Sequence, residues 1–206
     1  MSCYAYGMVL DVRRSMSFFP WRQWVAGAAI CLSSSVVIPA AAQRPVNAKA
    51  ATMKEFRDRA DAYLALHKKV ADGLPPLKET DDPQKIADRE KLLGTSIGKV
   101  RTGARAGEIF GNAAPLVATI VRGDLGHRSR ADRKALFSEM PARVPALGIN
   151  DIYPSAVPLV TFPPALLQSL PPLPEGLEYR FYGRHLILRD AKANIVVDLL
   201  RNVVPV

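Results

Sequence analysis

The chain has 206 residues, 49% of them hydrophobic, which supports one domain with a buried core. Both cysteines, Cys3 and Cys31, fall in the first 42 residues, so the remainder is expected to carry no disulfide, thiol nucleophile or thiolate metal ligand. The formal charge of +9 favours anionic partners through long-range attraction but does not choose among nucleic acid, lipid headgroup and cell-wall polymer.

The first 42 residues read as an export address. Trp24 to Ile38 is mostly apolar, with Arg22 just before it and Pro39-Ala40-Ala41-Ala42-Gln43 just after. The alanines supply the small residues a signal peptidase needs, which predicts cleavage between Ala42 and Gln43. Pro39 interrupts helix ahead of that point and leaves the substrate extended. The apolar run is short and serine-interrupted for a membrane span, which needs about 20 apolar residues. Ile30 before Cys31 argues against lipidation, and Ser15-Met16-Ser17 after Arg13-Arg14 argues against a twin-arginine signal. A start at Met16 would give a more conventional signal than one at Met1. Cleavage removes Arg13, Arg14, Arg22 and Asp11 from the 28 basic and 19 acidic residues, leaving 25 against 18, a net +7.

After a short flexible lead over 43–51, Thr52-Met53-Lys54-Glu55 reads as a capping box opening a first helix. Phe56, Ala60, Tyr63, His67, Val70 and Leu74 form its apolar stripe, and Gly73 with Pro75-Pro76 ends it. Asp82-Pro83 starts a second helix with the stripe Ile86, Leu93, Ile97, Val100 and Ala104, closed by Gly107. The two helices are expected to form an antiparallel hairpin, with Gly94 and Gly98 allowing close backbone packing. Asn112 to Val121 predicts a third helix, with Pro115 in its first turn, and Ser129 to Met140 a fourth. Pro141 to Pro174 holds nine of the 17 prolines interleaved with large apolar residues. It therefore reads as an extended segment wrapped over a core, with a turn of helix at 163–169, rather than as a disordered linker.

Leu177 to Tyr182 and His185 to Asp190 alternate around Gly183-Arg184, which predicts a hairpin with Phe181 opposite Leu186 and Tyr179 opposite Leu188. Glu178 would meet Arg189 on the other face. Ile195 to Leu200 forms a third strand if Ala191–Asn194 is the loop, pairing Val197 with Leu188 and Leu199 with Leu186. The expected fold is thus one α+β domain over 52–206. It comprises a helical part (52–140) with a helical hairpin and two further helices, a Pro-rich wrap (141–176) and a three-stranded antiparallel meander (177–200).

The stretches Leu177–Arg184, Leu186–Asp190 and Ile195–Asp198 resemble the ending of a family of exported bacterial proteins of unknown function. Phe56 to Leu66 and Asn150 to Pro154 are similar to that family too. More loosely, the C-terminal hairpin is similar to small periplasmic β units, including one in a nickel and cobalt homeostasis protein. Neither resemblance implies an activity or a functional residue.

Gly94-Thr95-Ser96-Ile97-Gly98 matches the pattern of a serine-hydrolase elbow, but it sits inside a helical stripe where that elbow needs a strand-to-helix turn. The same glycines followed by Lys99-Val100 have the wrong spacing for a phosphate loop, and no cofactor is implied. His67, His127 and His185 show no paired metal spacing, and His67 on the apolar stripe reads as a hydrogen-bonded core histidine. Arg180 and Arg189 on partner strands, with His185, are candidates for an anion cradle; the competing reading is a salt-bridged outer face with Glu178 and Asp198. Asp190 reads as the start of a tight turn. The favoured expectation is a non-enzymatic periplasmic or secreted protein that binds or scaffolds, with an anionic envelope component as partner. A small hydrolase centred on Ser96 and a metal-handling protein using the histidines are the alternatives.

Overall fold

The computed structural model describes residues 47–76 and 78–205. The proposed signal segment, its cleavage point at Ala42 and Gln43, and both cysteines lie outside the described residues.

Five α-helices precede a three-stranded antiparallel sheet, an α+β architecture. Helix α1 runs Ala48–Asp72. It starts earlier than the capping-box reading: Asn47 caps it by accepting the Lys49 amide, and residues 48–51 of the supposed lead are helical. Thr52 sits within the helix and donates back to Ala48 O, while Glu55 turns to Arg59 and Asn112. Phe56, Ala60 and Tyr63 are buried as the stripe requires, and Gly73 ends the helix.

Helix α2, Pro83–Val100, has the expected Asp82 cap and Pro83 in its first turn. It stops at Val100 rather than near Gly107, because the chain turns at Arg101 to dock the 105–110 segment on the sheet. Arg89 donates to Pro75 O and Ala71 O near the end of α1, and Arg101 lies over the Tyr63 ring in its middle. The two helices therefore run antiparallel. Gly94 faces the turn between the last two strands, where a Cβ would stand 2.6 Å from both Ala193 O and Ile195 Cγ2. No residue larger than glycine fits there unless the turn moves.

A 3-10 turn, Gly111–Ala113, leads into α3, Ala114–His127, which runs one and a half turns beyond the predicted end. Val121 and Leu125 continue its buried face, and that burial outweighs Gly123 and Gly126 within the helix. Helix α4, Arg130–Leu136, begins on Ser129 as read but ends before Met140. Helix α5 is the turn Pro164–Ser169.

Strands β1 (Leu177–Tyr182), β2 (His185–Asp190) and β3 (Ile195–Leu200) pair in the order β1-β2-β3. The β1–β2 register is the predicted one, with Glu178 opposite Arg189 and Phe181 opposite Leu186. Gly183 adopts φ 56°, the left-handed conformation that the first position of this two-residue turn demands.

The β2–β3 register agrees with expectation only beside the turn, where Asp190 meets Ile195 and Arg189 meets Val196. Beyond it Leu188 pairs with Asp198 and Leu186 with Leu200, so Val197 is an extra residue, a β-bulge. The bulge corrects the predicted pairs Val197–Leu188 and Leu199–Leu186. It also lets Val197 and the residue after it face the helices together, which simple alternation forbids.

Both faces of the sheet are covered. On the helical face Phe181, Leu186 and Leu188 pack with Phe56, Ile97 and Val117 in the main core. On the other, Tyr182, Ile187, Val196 and Leu199 pack with Tyr153 and Val157 of the Pro-rich segment. Each such side chain, fully buried, stabilises the fold by about 1.5–3 kcal/mol before entropy is counted. The Pro-rich wrap also closes one sheet edge, where Asn150 and Tyr153 donate to Val196 O and Asn194 O and the Val196 amide donates to Asp151 O. No helix among the described residues is long and apolar enough to cross a membrane.

Candidate functional site

The fold buries two carboxylates against the helical face. Asp190, 1% exposed, ends β2 and accepts the Lys192 and Ala193 amides through Oδ1, the tight turn its position suggested. Its Oδ2 accepts the Tyr63 hydroxyl at 2.6 Å and meets His67 Nδ1 at 2.5 Å. A carboxylate only accepts, so His67 carries a proton on Nδ1. Tyr63 and His67 stand one helical turn apart on α1, which brings both onto one carboxylate. Burial and the adjacent Asp190 charge push the Tyr63 hydroxyl far above its ordinary range, so it remains a donor. For Asp190, burial pushes upward, but the hydrogen bonds from His67, Tyr63 and the Ala193 amide outweigh it and hold the carboxyl below 3.8.

Asp198 is fully buried and does not join Glu178 in a charged outer face, because the bulge turns it inward. There Oδ1 accepts the Gly107 and Leu199 amides at 2.5 and 2.7 Å, and Oδ2 those of Ile109 and Phe110 at 2.7 and 2.8 Å. Burial pushes its carboxyl above 3.8 against the pull of these four amides. Both aspartates are thus spent on holding helices to the sheet.

The residues proposed for an anion cradle separate into two places. Arg180 and Arg189 converge on Glu178, at 2.6 and 2.5 Å, and Arg189 also binds Asn194 Oδ1. Burial pushes the Glu178 carboxyl up, but the two guanidiniums prevail and hold it low.

His185 lies at the hairpin end instead. Its Nδ1 accepts the Asn202 amide at 3.0 Å, which leaves Nε2 to carry the proton of the neutral ring. It lines a hollow of about 500 Å³ together with Tyr182, Asp151 and Arg201. Burial, then the charges of Arg201 and Arg184, hold its pKa below 6.5. Asp151 in the same hollow accepts the Gly148 amide. Among the described residues neither Arg184 nor Arg201 makes an ion pair. Sequence spacing gave no hint of Arg201 here, because it reaches His185 only through pairing of β3 with β2.

Ser96 lies within α2, so the strained strand-to-helix turn of a nucleophile elbow is not formed. The histidines are apart: His67 on Asp190, His127 on Gly123 O within α3, and His185 on Asn202. Among the described residues no three ligating side chains gather in a group able to hold a metal ion.

Arg101 is the functional-looking residue that sequence reading missed. Its side chain is 6% exposed. It bonds Asn150 Oδ1 at 2.8 Å and Val197 O at 3.3 Å, and its guanidinium stands 5.0 Å from the centre of the Tyr63 ring. Asn150, held at φ 66°, donates back to Arg101 O.

The fold and these sites define a small α+β protein with a tightly used interior and a cationic end. No family model, no curated protein and no solved structure matches the chain. Its function is therefore argued from its own residues.

Proposed function

We propose that this chain is an exported, non-catalytic protein that holds an anionic component of the cell envelope against the hairpin end of its sheet. The supporting observation is the grouping of Arg184, His185 and Arg201, two guanidiniums free of carboxylate partners beside an imidazole whose Nε2–H points away from its backbone bond. Arg122 adds a third guanidinium nearby through its bond to Asn202 O. An unpaired cluster attracts polyanions over roughly a Debye length of about 8 Å, and a net +7 after signal removal adds to the field. Export rests on the apolar segment and alanine triplet ahead of Gln43. Absence of catalysis is supported by the use of Asp190, Asp198 and His67 as structural ties and by the helical setting of Ser96.

The test is retention of the purified protein on immobilised dextran sulfate across a salt gradient. Wild type is expected to bind at low salt and elute early as salt rises. Replacing Arg184 and Arg201 together by alanine should weaken binding by about tenfold, because two charge-assisted contacts go. Replacing the exposed Arg57 and Lys69 of α1 should change it little. Equal losses in the two variants would reduce the reading to general charge attraction.

A further inference from the structure

We propose that the cleft between α1 and the chain following α2 binds a small amphipathic carboxylate, its head on Arg59 and Arg101 and its apolar body on Leu66, Val100 and Ile109. This site is separate from the cationic hairpin end and does not rest on the reading given to that end.

The cleft has a volume of about 510 Å³, within the range of about 300–1,000 Å³ usual for small-molecule sites. Arg59, Tyr63 and Leu66 reach it from one face of α1, because residues three and four apart share a side of a helix. Val100, Arg101 and Ile109 close it from the other side.

The lining of the cleft carries two guanidiniums and one carboxylate. Arg101 is nearly buried, yet its one carboxylate contact is Glu108, half-exposed and 3.5 Å away. Its closer partners, Asn150 Oδ1 and Val197 O, are neutral, as is the Tyr63 ring it lies over. A buried guanidinium held by neutral groups keeps most of its positive field, and burial strengthens that field. Arg59 is fixed at the same opening by Glu108 O at 2.6 Å and by Glu55 at 2.5 Å. Glu55 is shared with Asn112, and Glu108 is the one carboxylate that lines the cleft. An incoming carboxylate would meet two positioned guanidiniums, sharing Arg59 with Glu55 and displacing the long Glu108 contact of Arg101.

The remaining wall is apolar: Val100 is open to solvent, Leu66 is half-buried and Ile109 shows only a buried rim. Val100, at the end of α2, is 59% exposed although it belongs to the stripe that buries Leu93 and Ile97. Covering it, with Leu66 and the rim of Ile109, rewards an aliphatic body attached to the anion. A simple inorganic anion would leave that surface wet, and a neutral hydrocarbon would leave the guanidiniums unanswered.

Gly103 gives a test that spares the fold. It lines the cleft, and a Cβ placed on it meets nothing within 4 Å, so Gly103→Leu adds bulk where the chain has room. Calorimetric titration of the full chain with octanoate, octanol and acetate should show saturable binding of octanoate, with the other two at least tenfold weaker. Gly103→Leu and Arg59→Met should each weaken octanoate by about tenfold or more, Gly103→Leu without lowering the ligand-free melting temperature, while Arg184→Ala with Arg201→Ala should leave octanoate binding unchanged. Failure of octanoate to bind, octanol binding as tightly, or full affinity retained in Gly103→Leu would each overturn the proposal. So would loss of octanoate binding in the Arg184/Arg201 variant.

Discussion

Asp190 closes β2 at its turn and Asp198 lies within β3 opposite Leu188; both are closed to solvent and are satisfied by different kinds of partner. Asp190 is held largely by side chains of α1, Tyr63 and His67, with two turn amides in support. Asp198 is held by backbone amides alone, three of them from the 107–110 segment. Side-chain donors can rearrange when a carboxylate is lost; amides fixed in a tight turn cannot turn away. The two carboxylates are therefore expected to differ in how much damage their loss does and in how they answer to acid.

The sharpest way to break the contrast is Asp198→Ala. It strands four amides, three buried and that of Gly107 partly so, at about 1–3 kcal/mol each when unsatisfied, so a total loss of about 4 kcal/mol or more is expected. Asp190→Ala should cost less, about 3 kcal/mol, because the partly exposed His67 can find water and the Tyr63 hydroxyl can rotate. Urea denaturation measures both, and equal losses would erase the distinction. Gly94→Ala probes the Asp190 end from behind. Its methyl meets Ala193 O at 2.6 Å, which should cost about 1–3 kcal/mol by displacing the turn that donates to Asp190. An unchanged denaturation midpoint would show that the turn yields freely.

The smallest effect is a difference in slope with pH. Asp190 is held below 3.8, so its contribution is complete above that value and fades as pH falls through the folded-state pKa. Asp198 is held above 3.8, so the folded state grips its proton and loses stability as pH rises from 3.8 through the folded-state pKa. Measured against wild type through the acid range, the deficit of Asp190→Asn should grow with rising pH and that of Asp198→Asn should shrink. Parallel curves would refute the assignment of opposite shifts.

Much of the fold is written in local pattern. The Asp82-Pro83 start, the Gly73 stop, the Gly183-Arg184 hairpin and the turn of helix at Pro164–Ser169 all follow from residue chemistry within a few positions. What was illegible depends on contacts between distant segments. The bulge at Val197 exists because Asp198 answers amides ninety residues earlier in the chain, and nothing in Ile195–Leu200 announces those amides. The early end of α2 has the same origin. The site was legible in part: His67 as a bonded core histidine and Glu178–Arg189 as a pair could be read from spacing. Arg101 and Arg201 could not, since each acquires its neighbours only when the last strand docks.

The extra residue in β3 works as a phase change in the chain's alternation. Leu199, toward the proline-covered side, and Leu200, toward the helices, take their sense from that one insertion. Straightening the strand with Val197 kept would send an acid to the proline-covered side, whereas deleting Val197 would leave Asp198 opposite Leu188 and facing the helices, at the cost of one buried valine and the local twist.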